Sequence, residues 1–543
     1  MNSFNFPSAK RMALFLIGAF SILLLLLWPF GEFPLADDWV HSWDVFYTLK
    51  NGKITLTKVE AVWFLPQFAY GLFVSKIFGF SHVLLRTAGV LAAIGSGYFL
   101  WKILQKTDHR FHSVLLGVCA FLFFTPTFVL IPTFLTDMPF MFFWLLACYY
   151  CEKAFTEKNY QSAAFSFFCI FLSLLQRQNG LVLAIALAGL SAFFFLRSSE
   201  NRKFYFFLLS MGLMQFVLFF ISSRWWDSIS EHLVRQTLLS APLNATRILE
   251  ELYIWLMYLG LAVFPLVFLG DFSYLKKLFL KNRVFTILLL FVFLCLLFKG
   301  FSGQRMPYFS NQLSKLGLFD GGEVLLGDRP KIISKRFDWV LTFISFTGLV
   351  VFLSAVFAFI KDKVKPLAVS VVYPFGFFSV VASFGIFLSI LIRGVTFDRY
   401  LVPVLPGAII LVLSITKKDL KPLQLELSLL ATLCVVLFSW TICFDYFRWN
   451  EARWKAIESA SEKGIKAEKI HGGYEWHGWN FPTVSYPRWL NTNPNFIYSD
   501  VVSFSAIDGF DAVETFSYLS IWAPHKRQIY LLEKKKGELV KTR

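Results

Sequence analysis

Two adjacent carboxylates, Asp37 and Asp38, stand before Trp39 a few residues after an apolar run closes at Pro29-Phe30. Neighbouring like charges beside a membrane repel each other and lose hydration, so the placement suits a bound cation, a proton transfer or a polar substrate. A solvated turn is the plainer alternative, and spacing leaves both open. Asp137, in Pro132-Thr133-Phe134-Leu135-Thr136-Asp137-Met138-Pro139, marks the mouth of a later apolar run. It reads as a functional acid at a membrane boundary or as a first-turn acid facing a helix dipole, and the two are compatible.

Cations accompany these acids. Arg177 occupies a tight hairpin, Arg177-Gln178-Asn179-Gly180, where its guanidinium fork suits phosphate oxygens or simply snorkels to the interface. Asp398-Arg399-Tyr400 precedes Pro403, with Arg393 close upstream; a local pair between Asp398 and Arg399 is the alternative to binding. Arg86 adds a third cation, although a single Arg at a helix end more often anchors it. His471 to Trp479 gathers two imidazoles, Glu475 and three aromatic rings. That mixture fits a sugar face or a packed turn and follows no zinc spacing. Cys148 and Cys151 form a C-x-x-C string inside an apolar run without the strand pattern of a redox domain, and Asn244-Ala245-Thr246 is a sequon that chance supplies.

The elements that must position these residues are apolar helices. Hydrophobic residues make up 57% of 543, and only 16% are charged; a bilayer must supply most of the solvent. The apolar runs are continuous rather than alternating, which excludes an outer-membrane barrel. Lys and Arg cluster beside the runs, so the net charge of +17 reflects positive-inside anchoring and not a nucleic-acid surface. All seven cysteines fall inside apolar runs and imply no disulfide framework. The first run follows Lys10 and Arg11, is long and lacks a small-residue cleavage site, so it reads as a retained span.

With the N-terminus cytoplasmic, about thirteen spans fit the basic punctuation. They run near Met12 to Phe30, Leu84 to Ile103, Ser113 to Leu130, Phe134 to Cys151, Ala163 to Leu175, Leu181 to Leu196, Phe204 to Ile221, Tyr253 to Leu269, Val284 to Phe298, Trp339 to Ile360, Leu367 to Ile392, Leu401 to Ile415 and Leu423 to Cys443. Lys102 to Arg110, Glu152 to Lys158, Arg197 to Lys203, Lys276 to Arg283, Lys361 to Lys365 and Lys417 to Lys421 then face the cytoplasm. The opposite side holds the long loops 31–83, 222–252 and 300–338, together with the segment 444–543. A transmembrane domain 1–443 followed by a small extracytoplasmic α+β domain is the expected division. Trp63 to Phe80 reads as a helix lying along the interface. Because loops carry function on packed scaffolds, the site belongs on this outer side.

The acidic pair after the first span, Thr136-Asp137 with Pro139, the Arg177 turn and Phe397-Asp398-Arg399-Tyr400-Leu401-Val402-Pro403 together resemble the GT-C glycosyltransferases. The likeness is to the family 39 type, which includes protein O-mannosyltransferases and the aminoarabinose transferase that modifies lipid A. It is clearest from Met1 to about Lys203 and at Phe397 to Pro403. The resemblance implies an inverting transfer of sugar from a polyprenyl-phosphate carrier to a hydroxyl of a lipid, glycan or protein acceptor, with no nucleic-acid partner. It also implies a bacterial inner membrane. Asp37 or Asp38 would be the general base, and Asp137 would orient the acceptor or hold a divalent cation. Among the cations, Arg177, Arg393 or Arg399 would neutralise the departing phosphate. Asp-Asp stands where some relatives carry Asp-Glu or one acid, which leaves the base ambiguous between neighbours. No metal ligand is assigned and a divalent cofactor stays open. A polytopic transporter is the main competing class; against it, the charges gather at span ends rather than at the midplane, and no inverted repeat is evident. A non-catalytic membrane assembly protein is the third reading, and it requires that the outer acids tolerate replacement.

Overall fold

The computed structural model describes residues 18, 21–27, 31–107, 110–230, 244–308, 312–319, 325–361, 374–393, 397–416, 420–482, 498–522 and 527–535. Most of the expected first span, Met12 to Phe30, falls outside them. In chain order the helices are α1 (Asp38–Asn51), α2 (Leu65–Phe78), α3 (His82–Thr107), α4 (Phe111–Leu122), α5 (Asp137–Glu157), α6 (Tyr160–Gln176), α7 (Leu181–Arg197) and α8 (Arg202–Ile229). They continue with α9 (Ala245–Val263), α10 (Phe272–Lys281), α11 (Arg283–Phe301), α12 (Lys335–Phe359), α13 (Phe377–Arg393), α14 (Leu405–Ser414), α15 (Pro422–Glu462) and α16 (Tyr474–Asn480).

Among the described residues six helices are long and apolar enough to cross a membrane, and shorter apolar helices such as α4, α6 and α13 lie between them. The α-helical polytopic class expected from composition is therefore the fold observed. On α8, Phe206, Leu213, Met214, Val217, Phe220 and Ile221 stay exposed, as residues facing acyl chains must. The expected run Ser113 to Leu130 is not one helix. It stops at Leu122 and resumes as the short turn Thr125–Phe128, because Pro126 brings no N–H to an interior ladder. The helix expected between Trp63 and Phe80 is present as α2, started by Pro66 in its first turn, with Phe73, Ile77 and Phe78 left on its surface.

Small residues set the closest approach in the bundle. A Cβ on Gly260 of α9 would fall 2.0 Å from the Ser345 carbonyl oxygen, and one on Gly348 of α12 would fall 1.9 Å from that of Gly260. Only glycine lets these backbones meet, as in other membrane helix pairs.

Helix α15 spans 41 residues, or about 61 Å at 1.5 Å per residue, twice the ~30 Å hydrocarbon core. It thus carries the chain directly from the bundle into the C-terminal region. There β3 (Ile470–His471), β4 (Asp500–Ser503), β5 (Phe510–Tyr518) and β6 (Arg527–Lys534) form one sheet in the order β3-β4-β6-β5, with β3 parallel to β4 and the other pairs antiparallel. The 300–338 loop adds a hairpin, β1 (Leu313–Ser314) with β2 (Gly317–Leu318), and reaches the sheet through a bridge between Leu326 and Ser503.

The bundle has two distinct ends. Helix α3 begins at His82, whose N–H donates to Glu32 of the first loop at 2.7 Å, and is 26 residues long, or about 39 Å. At that far end Arg110 bonds Thr416, and the Asp271 N–H donates to the Ile415 carbonyl at 3.1 Å.

Candidate functional site

At the near end, Asp37 precedes the first turn of α1. Its Oδ2 receives Arg399 Nη2 at 2.8 Å, and its Oδ1 accepts the Tyr474 hydroxyl at 3.0 Å. The side chain remains 39% exposed, so an incoming group reaches it. Burial pushes its pKa up, but the Arg399 charge and hydrogen bond, with the Tyr474 hydroxyl, outweigh this and hold it below the ordinary carboxylate value.

Asp38 is the opposite case: it is 2% exposed. Its Oδ1 accepts the Leu35 N–H at 2.6 Å and its Oδ2 the Phe134 N–H at 3.2 Å. Burial, only partly offset by Arg86 and these backbone donors, raises it to about 7. Asp38 therefore ties the first loop to the segment that enters α5.

Asp137 opens α5 and forms an ion pair with Arg177, both largely buried. Arg177 lies 5.8 Å from the Tyr400 ring centroid, and Arg399 lies 5.9 Å from the same centroid. Burial opposes the charge on Arg399, yet Asp37 and Asp137 both reinforce it and raise its pKa. Asp37, Asp137, Arg177, Arg399 and Tyr400 thus make one charged cluster drawn from four separate parts of the chain.

Other candidates fall elsewhere. Asp398 is fully buried and accepts the backbone N–H groups of Gln312 at 3.1 Å, Leu313 at 2.8 Å and Arg399 at 3.0 Å. It anchors the β1–β2 loop and orients Arg399. Arg86 is buried, donates to the carbonyls of Gly31 and Phe33, and lies over the Phe33 ring. It braces the first loop from beneath. Arg393 ends α13, and its side chain lies outside the described part of the structure.

Four residues that the sequence left unassigned join the site. His41, one helical turn beyond Asp37, bonds Glu60 through Nδ1 at 2.7 Å; a basic residue at i+4 from an acid on a helix is a signal that could have found it. Tyr474 comes from the His471–Trp479 segment, which proves to be a packed turn. That turn is locked by the buried Arg453–Glu475 pair at 2.7 Å and by the Ala36 N–H on Glu475 at 3.0 Å. A Cβ on Gly478 would meet Trp39 at 2.3 Å, so glycine allows α16 to lie on α1. Gln67 and Gln176 bond each other at 2.8 Å, and Gln67 donates to the Phe134 carbonyl at 2.7 Å, fastening α2 to the α5 entrance.

Among the described residues no three His, Cys, Asp or Glu side chains converge as ligands. Both oxygens of Asp37 are engaged by Arg399 and Tyr474, both of Asp38 by backbone N–H groups, and Oδ1 of Asp137 by Arg177.

Residues 65–226, from α2 to α8, match the family model described as dolichyl-phosphate-mannose-protein mannosyltransferase. No curated protein matches the chain by sequence. Among solved structures, the chain is similar to ArnT from Cupriavidus metallidurans bound to undecaprenyl phosphate. The TM-score is 0.50 at 9% identity, covering 97% of this chain and 98% of that one. It is also similar to the oligosaccharyltransferase AglB from Archaeoglobus fulgidus in complex with an inhibitory peptide and a dolichol-phosphate, with a TM-score of 0.37 at 12% identity, over 81% of this chain and 56% of that one. At such identity the likeness to ArnT speaks to the fold. Together with the family match it bears out the resemblance carried by the motifs: the fold is that of the GT-C membrane glycosyltransferases.

Proposed function

We propose that this protein is an inverting glycosyltransferase that moves a sugar from a polyprenyl-phosphate carrier to an acceptor hydroxyl, with Asp37 as general base. The family match and the shared fold support the glycosyltransferase class and a polyprenyl-linked donor. The observation that carries the choice of residue is the contrast within the acidic pair. Asp37 reaches solvent and holds only side-chain partners, whereas both oxygens of Asp38 accept backbone N–H groups.

In this reading the acceptor oxygen attacks the anomeric carbon while the bond from that carbon to the phosphate oxygen breaks. The electron pair leaves with the polyprenyl phosphate, and Asp37 receives the acceptor proton. A single displacement inverts the anomeric centre. Arg399 has two tasks. It keeps Asp37 ionised in the resting site, and it offers a guanidinium to the departing phosphate. A phosphate that draws Arg399 away leaves the burial of Asp37 less opposed and raises its proton affinity as the acceptor hydroxyl arrives. Arg177, held by Asp137, adds positive charge beside Tyr400, and Asp398 acts as a positioning residue for Arg399.

The test is transfer of labelled sugar from polyprenyl-phosphate donors to membrane acceptors, comparing wild type with Asp37→Asn and Asp38→Asn at matched expression. Loss in Asp37→Asn with folding intact supports the assignment. Full activity in that variant removes Asp37 from the mechanism, and absence of transfer by the wild type with every donor moves the reading to a transporter.

A further inference from the structure

The other end of the bundle carries a feature that glycosyl transfer does not use. In the stretch from Phe272 to Arg283, Lys276, Lys277, Lys281 and Arg283 occur with no acidic residue among them. Asp271 stands just before this stretch; its carboxylate accepts the Ser273 N–H at 3.0 Å, at the start of the helix. Phe272, Lys276, Phe279 and Leu280 recur at the i, i+4, i+7 and i+8 spacing of one helix face. Those same residues of α10 line a cleft of about 540 Å³ whose opposite wall is the middle of α12, including Phe346 and Val350. Apart from Lys276 and Thr347 the lining residues are apolar. Phe272 and Leu280 are 52% and 72% exposed, so the cleft opens sideways where lipid lies. An apolar slot of this kind, with ammonium groups beside it on an amphipathic helix, complements a hydrocarbon chain that ends in a negatively charged headgroup.

We propose that this cleft is a binding site for an anionic glycerophospholipid of the adjacent leaflet. One acyl chain lies between α10 and α12, and its phosphate is held by Lys276, with Lys277 and Lys281 on the flank. The site sits at the end where Asp271 bonds Ile415, away from Asp37, and is independent of the reaction proposed above.

The test is native mass spectrometry of the full-length protein in detergent, titrated with phosphatidylglycerol, phosphatidylcholine or undecaprenyl phosphate. We expect at least a ten-fold preference for phosphatidylglycerol over phosphatidylcholine. The triple variant Lys276→Gln, Lys277→Gln, Lys281→Gln should abolish it. Thr347→Trp fills the cleft without altering charge and should remove one bound lipid, which keeps the proposal testable if the triple variant does not fold. Lys466→Gln with Lys469→Gln, exposed in the C-terminal region, should change nothing. Equal binding of the two phospholipids by the wild type, or an undiminished preference in the triple variant, would overturn the proposal. Displacement of phosphatidylglycerol by equimolar undecaprenyl phosphate would overturn the occupant and assign the cleft to the carrier.

Discussion

Around Asp37, two carboxylates and two guanidiniums pair across side chains, and one acid stays open to solvent. In the turn from His471 to Trp479, the polar groups are as dense, yet His471, Glu475 and His477 are all buried, and Glu475 pairs with an Arg453 that is itself fully enclosed. The two regions even touch, through Tyr474 and Asp37. They teach that the kinds of residue present do not separate an open charged cluster from a structural lock. The separation comes from whether a polar group keeps a face that a substrate can reach.

The contrast breaks most sharply at Asp37. Asp37→Asn should lower transfer by about 10²–10⁴-fold, whereas Asp38→Asn should lose no more than about ten-fold. Burial pushes Asp38 toward its neutral form, which Asn resembles in charge, and Asn still accepts the Leu35 N–H. Steady-state rates on purified variants check both.

On the side of the lock, Glu475→Gln leaves the Arg453 charge buried without its counter-ion. It should cost about 3–5 kcal/mol of stability, measured by denaturant unfolding, while transfer per folded molecule falls far less than in Asp37→Asn.

Arg399→Met sharpens the comparison from within the site. Asp37 is ionised, and so able to accept a proton, above its depressed pKa. Without Arg399, burial acts with less opposition, and the acid limb of the kcat/KM profile should move to higher pH. A profile that stays in place would show that Arg399 does not tune Asp37.

The smallest effect concerns the two imidazoles of the lock. Burial lowers His471 to about 4 and His477 to about 3, with Arg453 also disfavouring charge on both and each ring against Tyr498. Depressed histidines stabilise the fold above their ordinary value of about 6.5, and that contribution is lost as pH falls toward 4. Hydrogen exchange over residues 470–480 should therefore quicken between pH 6.5 and 4.5, while His471→Gln with His477→Gln flattens the change.

Much of this was legible in the chain because it rests on local pattern. Apolar runs announced the helices, and the four motifs announced the fold and the acids and arginines that cluster. What pattern could not reach were pairings between distant residues. Arg86 has the same charge and outer placement as Arg177, yet one braces the Gly31–Phe33 backbone and the other pairs with Asp137. His471 to Trp479 read equally well as a sugar face or a packed turn, and only the Ala36 N–H on Glu475 and the absent Cβ of Gly478 against Trp39 decide for the turn.

The sequence by itself determined that this chain lives in a membrane, that it is built of helices, and which ionisable residues stand at the ends of its apolar runs. Hydropathy is a property of contiguous residues and needs no fold to be read. The tertiary structure decided which of two adjacent carboxylates keeps a face open to solvent. Side chains at neighbouring positions leave a helix start in different directions, and what each meets, Phe134 for Asp38 or Arg399 and Tyr474 for Asp37, comes from parts of the chain that only folding brings together.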